Sequence, residues 1–182
     1  MDKPQLRARM KRVRAAIPDR AQQSAAICGH ILALPEYARA GCMLLYMPIG
    51  SEVDVRPVLE HALAQGRTVC LPVCRENGEM DAVRCTGEGC LRPGAYGIPE
   101  PGGDTEIIPL SAVSLLIVPL EGIDRRGMRL GKGGGYYDRL LEGSQVMTLG
   151  AVMSWQWEEK VPAMPWDRPL RAAADCRGIH LF

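Results

Sequence analysis

The sequence predicts a three-layer α/β fold, with a mostly parallel central sheet, helices on both faces and one β-hairpin. Four apolar runs of strand length, at 42–47, Thr68–Cys74, 114–120 and 146–153, lack the alternation of half-exposed strands. Runs of this kind are buried on both faces, as a parallel sheet requires. Helical periodicity lies between several of them, and strands joined by helices imply right-handed crossovers.

The elements follow in order. Residues 3–16 form a basic helix opened by Pro4, a favoured first helical residue. Asp19 is expected to cap a second helix that puts Ser24, Ile27, Cys28, Ile31 and Leu32 on one face and stops at Leu34-Pro35. The strand at 42–47 is closed by Pro48 and Gly50. A helix at 57–65 turns Val58, Leu59, Ala62 and Leu63 inward, with Gly66 as its stop. Asn77-Gly78 joins Thr68–Cys74 to Met80–Cys85 as a hairpin. Residues 86–104, rich in Gly and Pro, read as one long loop, and such loops are often functional. After the strand at 114–120 comes a glycine-rich stretch, a helix from Tyr136 to Leu141 and the strand at 146–153. The rest carries three tryptophans and three prolines, then a short apolar tail at 178–182.

At 182 residues and 19.9 kDa the chain reads as a single domain, 1–182. Its 22 Lys and Arg against 21 Asp and Glu leave no basic footprint for nucleic acid. The longest apolar run is too short to span a bilayer, and the first twenty residues hold no apolar signal core. Seven cysteines, an odd number without a C-x-x-C pair, read as reduced thiols in a cytoplasmic protein. Cys70/Cys74 and Cys85/Cys90 only loosely suggest half a zinc site. A monomer is expected.

The most informative stretch runs from Leu120 to Asp138. It follows a strand and opens a helix, the place where an open α/β sheet binds its ligands. Gly131, Gly133, Gly134 and Gly135 let backbone N–H groups approach phosphate oxygens, and Arg129 and Lys132 add positive charge. Asp138 is placed to hold Mg²⁺ carried in on phosphates. Gly133 follows the lysine where a Walker A loop needs Ser or Thr, and Tyr136 breaks a G-x-G-x-x-G pattern. A flexible loop with no ligand is the alternative at this point. Lys3 and Arg7 share a helix face, although a solvated basic face is the commoner meaning of that spacing. Glu52-Val-Asp54 follows the first strand at the same sheet edge, where helix capping competes with binding. Tyr96, beside the proline-stiffened turn that ends at Pro101, is suited to stacking on a flat ring, although an ordinary loop is the simpler reading. The three histidines make no catalytic cluster, and neither a G-x-S-x-G elbow nor H-E-x-x-H occurs.

Together these segments resemble the 5-formyltetrahydrofolate cyclo-ligase family, from Lys3 to about Asp167 and in the family's order. The matching pieces are Lys3-x-x-x-Arg7, Tyr46-x-Pro-x-Gly-Ser-Glu-Val-Asp54, Leu71-Pro72, Tyr96-Gly-Ile-Pro-Glu-Pro101, the glycine loop from Gly127 to Arg139, Gln156 with Val161-Pro162, and Asp167. The resemblance implies closure of 5-formyltetrahydrofolate to 5,10-methenyltetrahydrofolate, with ATP and Mg²⁺, releasing ADP and phosphate. The formyl oxygen attacks the γ-phosphorus, N10 adds to the activated carbon, and phosphate leaves.

Carried over by position, the resemblance implies ATP on Lys3, Pro4, Gln5, Leu6 and Arg7, and on Arg129, Leu130, Gly131, Lys132, Gly133, Gly134, Gly135, Tyr136 and Tyr137. Arg129 and Lys132 are then the catalytic cations, and Asp138 and Asp167 the metal ligands. Met47 and Glu52 contact the folate, while Tyr96, Gly97, Ile98 and Pro99 cover its ring and formyl group. Family members often carry His-Asp and then an Asp four residues on; here Trp166-Asp167 is followed by Arg171. Two other classes stay open: a phosphosugar-type α/β enzyme, and a folate- or nucleotide-binding protein without turnover.

Overall fold

The computed structural model describes residues 1–14, 19–76, 78–94, 97–103 and 105–182. The chain begins with helices α1 (Lys3–Arg14), α2 (Arg20–Leu32) and α3 (Pro35–Arg39), followed by β1 (Cys42–Leu44), α4 (Arg56–Ala64), β2 (Thr68–Cys74) and β3 (Met80–Cys85). Short strands β4 (Leu91–Pro93), β5 (Pro99–Pro101) and β6 (Ile107–Ile108) precede β7 (Leu115–Val118). Then come β8 (Gly122–Asp124), β9 (Arg129–Leu130), α5 (Tyr136–Leu140), β10 (Met147–Ala151), β11 (Trp157–Glu158), β12 (Ala172–Asp175) and β13 (Gly178–Leu181).

The main sheet has eight strands in the order β13-β12-β10-β7-β1-β2-β3-β6. The inner run from β12 to β2 is parallel throughout, and β13, β3 and β6 pair antiparallel at the two edges. The apolar runs serve both faces by alternation. Met43, Leu115 and Ile117 face one core with Ile27, Ile31, Val58 and Leu59 of α2 and α4. Leu44, Leu116 and Val118 face the other, with Tyr137 and Leu140 of α5.

Strand order reverses between β1 and β7: the chain steps outward to β2 through α4, then returns to β7 and steps the opposite way. Right-handed crossovers before and after a reversal fall on opposite faces. Coverage of the second face is thin, because α5 has only five residues and the connection from β10 to β12 contains Pro162, Pro165 and Pro169. Much of that face is closed by a separate three-stranded sheet, β11-β8-β9. Helix α1 lies on this small sheet, burying Leu6 and Met10, one turn apart, against Leu130 and Val161.

Several local expectations change. Asp19 does not cap α2 with its side chain; it sits at φ 66° and accepts the Gln23 N–H on its backbone carbonyl. Pro35 both stops α2 and opens α3, which the periodicity does not reveal. The stretch at 86–104 is no featureless loop: among its described residues are a 3₁₀ turn, Glu88–Cys90, and the β4–β5 hairpin, whose five prolines and glycines mask its strand pattern. The expected turn falls partly on Asn77, outside the described residues. No helix among the described residues is long and apolar enough to cross a membrane. The seven cysteines are free thiols, with Cys85 and Cys90 sulfurs 3.6 Å apart.

Candidate active site

A pocket of about 930 Å³ opens at the carboxyl ends of β1 and β7. This is the switch point of the sheet, where connections leave in opposite directions and open a crevice. Residues 46–52 after β1 form one wall, and the glycine loop between β9 and α5 forms another. Met80 and Cys74 come from the β2–β3 edge, Ile98 and Glu100 from the β4–β5 hairpin, and Met164, Trp166 and Asp167 from the proline-rich segment.

The glycine loop is shaped by backbone need. Gly133 and Gly135 have φ of 112° and 70°, which an L side chain adopts only under strain. A Cβ on Gly131 would lie 2.9 Å from Arg129 Nη1, so the glycine lets that guanidinium pass under the loop. The five-residue α5 has little dipole, so any phosphate-binding strength rests on loop N–H groups and nearby cations.

Those cations converge from distant parts of the chain. Because Leu6 and Met10 face the small sheet, Lys3 and Arg7 are carried to the pocket rim. Arg7 Nε donates to the Gly131 carbonyl at 2.8 Å, and Lys3 Nζ lies 2.6 and 2.5 Å from the two Asp167 oxygens. Lys132 Nζ is 2.6 Å from Glu52 Oε1, whose other oxygen accepts the Ile49 N–H at 2.9 Å. Arg129, with its side chain only 4% exposed, donates to Asp138 Oδ1 at 2.9 Å. Its Nε is buried without a hydrogen-bond partner among the described residues, an arrangement that suits an incoming anion.

Each of Lys3, Lys132 and Arg129 is thus neutralised by a carboxylate that the sequence reading had assigned to another ligand. Lys3, Arg7, Arg129 and Lys132 against Glu52, Asp138 and Asp167 leave one excess positive charge in this group. Burial, with the Glu52 charge adding to it, holds the Tyr46 phenol well above its usual pKa. Burial raises Tyr137 as well, although the Arg129 charge opposes the rise. Both phenols therefore stay neutral. Tyr46 donates to the Val53 carbonyl at 2.9 Å and so fixes the turn that carries Glu52.

Of the expected site residues, Lys3, Arg7, Met47, Glu52, Ile98, Arg129, Asp138 and Asp167 line the pocket with the loop from Gly131 to Tyr137. Pro4 and Gln5 point to solvent, and Leu6 and Leu130 are buried between α1 and the small sheet. Their side chains support the pocket wall without lining it. Pro99 pairs with Pro93, and Gly97 is exposed. Tyr96 lies outside the described residues. Arg171 bonds Gln145 at 2.6 Å and is not among the lining residues, so that part of the departure lies outside the site, whereas Trp166 lines it. The sequence reading missed Cys74, Met80 and Met164, which no local motif marks, and gave no role to Glu100 and Arg139, although both stand inside matched motifs.

As a magnesium site, Asp138 and Asp167 offer the hard oxygens this ion takes, one or two carboxylates with phosphate and water completing the shell. Asp138 Oδ1 also accepts the Arg168 N–H at 3.2 Å, which links the two carboxylate segments. By donor type these two carboxylates fit the ion.

A model of the 5-formyltetrahydrofolate cyclo-ligase family matches residues 1–174. The chain is 32% identical over 171 residues to the Escherichia coli (strain K12) 5-formyltetrahydrofolate cyclo-ligase, covering 89% of this chain and 93% of that one. The Haemophilus influenzae enzyme of that name is 29% identical over 174 residues, covering 91% and 93%. The NMR structure of Aquifex aeolicus 5,10-methenyltetrahydrofolate synthetase superposes with a TM-score of 0.87 at 31% identity, covering 100% of this chain and 93% of that one. The chain therefore belongs to the 5-formyltetrahydrofolate cyclo-ligase family, ligases of folate one-carbon metabolism.

Proposed function

We propose that this pocket closes 5-formyltetrahydrofolate to 5,10-methenyltetrahydrofolate at the expense of ATP, with the residues in the following roles. The carrying observation is the cradle of positive-φ glycines flanked by Lys3, Arg7, Arg129 and Lys132 at the switch point of the sheet. Phosphoryl transfer asks a protein for positioning and charge neutralisation, and this cradle supplies both. Arg129 and Lys132 stabilise charge on the transferring group, while Arg7, anchored on Gly131, braces the loop. The folate lies toward Met47 and Glu52, with Glu52 accepting from the pterin's N–H donors and Ile98 closing over the ring. The formyl oxygen takes the phosphoryl group, N10 adds to the formyl carbon, and phosphate departs.

Asp138 and Asp167 would hold magnesium, which supplies charge neutralisation across the phosphates. The three ion pairs give this binding a logic. Phosphate oxygens compete for Lys3, Lys132 and Arg129 and release the carboxylates paired with them. Asp138 and Asp167 then become available to a metal, and Glu52 to the pterin. Nucleotide and metal should accordingly bind with positive coupling. The chain acts as a monomer, and its free thiols suit the reducing cytoplasm.

The test follows absorbance of the methenyl product from 5-formyltetrahydrofolate, with and without ATP and Mg²⁺. Product should form only when both are present. Binding of both ligands without product would support a non-catalytic binder, and turnover without ATP would overturn the phosphoryl-transfer reading.

A further inference from the structure

Of the three tryptophans, Trp155 packs against the core and Trp157 donates its indole N–H to Asp175 at 2.9 Å. Trp166 is 62% exposed, yet it lines the pocket. Exposing a large aromatic surface has a cost, and an aromatic at the mouth of a ligand pocket is suited to covering a flat ring.

The backbone beneath Trp166 is held firmly. Asp167 N–H donates to the Met164 carbonyl at 3.0 Å, which closes a turn with Pro165 and Trp166 at its tip. Proline is favoured at the first of these two positions because its φ is already set. Asp167 Oδ2 accepts the Met164 N–H at 2.5 Å, so the carboxylate staples the same turn from inside. One end of the turn is tied to α1 by the Lys3–Asp167 pair, and the next residue is tied to α5 by the Arg168 N–H bond to Asp138. The indole is thus carried on a turn tied to α1, whose Arg7 bonds Gly131, and to α5, which follows the glycine loop.

We propose that Trp166 is the base-stacking platform of the nucleotide site. The purine ring of ATP lies on the indole while its triphosphate reaches Arg7, Lys132 and the glycine loop. This rests on the ATP reading above and extends it to the base. In the free protein the ties to α1 and α5 place Trp166 with the phosphate-binding elements, and the Arg168 N–H bond to Asp138 keeps it there once phosphate takes Lys3 from Asp167, whereas the folate is assigned to the end of β1. Stacking tolerates either purine, so the site is expected to take GTP nearly as well as ATP unless another group reads the base edge.

Calorimetric titration of wild type, Trp166→Ala and Trp166→Phe with MgATP, inorganic tripolyphosphate and 5-formyltetrahydrofolate tests this. Base–aromatic stacking predicts a loss of ATP affinity in Trp166→Ala of about 5- to 150-fold. Trp166→Phe should recover most of it. Tripolyphosphate, which has no base, and the folate should bind all three proteins alike. ATP should also quench tryptophan emission in wild type and leave Trp166→Phe, which retains Trp155 and Trp157, nearly unchanged. Unaltered ATP affinity in Trp166→Ala overturns the proposal, as does an equal loss for tripolyphosphate or a loss confined to folate. Wild type that fails to bind ATP at all overturns the nucleotide reading itself.

Discussion

Asp138→Asn separates two tasks placed on one carboxylate. In the free protein Asp138 compensates Arg129, a guanidinium 4% exposed and 2.9 Å away, while Asp138 itself is 18% exposed. At that distance, with an effective dielectric of 20, the pair attracts by about 6 kcal/mol before desolvation is subtracted. Removing one partner of a buried pair typically costs about 3–5 kcal/mol. Asparagine keeps an oxygen to accept the Arg168 N–H, and water reaches this side chain, so a loss of about 2–3 kcal/mol is expected. For a chain of this size that corresponds to a fall in Tm of roughly 5–10 °C by scanning calorimetry. The double variant Arg129→Met/Asp138→Asn should regain most of the lost stability, because an apolar replacement leaves no uncompensated charge. If Asp138 also holds the metal, Asp138→Asn will raise the Mg²⁺ requirement and nearly abolish turnover. An unchanged Tm would refute the charge-compensation argument. Normal activity at low Mg²⁺ would remove Asp138 from the metal site.

Lys132→Ala should lower kcat by on the order of 10²-fold with a smaller change in ATP affinity, since the charge is aimed at the transition state; steady-state and binding measurements together check it. Glu52→Gln removes the anionic acceptor and the Lys132 partner, so folate affinity should fall by about 1.5–3 kcal/mol, and a titration showing ATP lost instead would reverse the placing of the two ligands. Burial alone would raise the Asp124 carboxyl, but Arg126, at 2.6 Å, and the Arg126 and Val161 N–H groups hold it below the usual carboxylate range. Its folded pKa thus lies below the unfolded value, so its stabilisation is present above roughly pH 4 and is lost as pH falls through the folded pKa. Asp124→Asn should therefore be less stable at neutral pH and show a shallower acid limb in denaturant titrations; an acid limb of unchanged steepness would show that Asp124 does not set it.

What could be read from sequence alone was whatever is local in the chain. Apolar runs such as Leu115–Val118 declare burial on both faces by themselves, and β2 and β3 lie where composition and the Asn77-Gly78 signal set their ends. The glycine loop announces a backbone requirement, because only glycine adopts its torsions without strain, and the family resemblance assembles the rest of the site by motif. Short elements were less legible. The Glu88–Cys90 turn, β4, β5, β8 and β9 are two or three residues long, too short to show a period, and their pairing depends on chain far from them. Tertiary structure alone decided the electrostatics. Lys3 and Asp167 are 164 residues apart in sequence, and Lys132 meets Glu52 across the switch point. Such contacts follow from how α1 docks on the small sheet and where the proline-rich segment crosses the pocket, long-range packing outcomes that no window of sequence encodes. The same packing turns a basic helix face, ordinarily solvated, into one wall of a ligand site and sets Trp166 at its mouth.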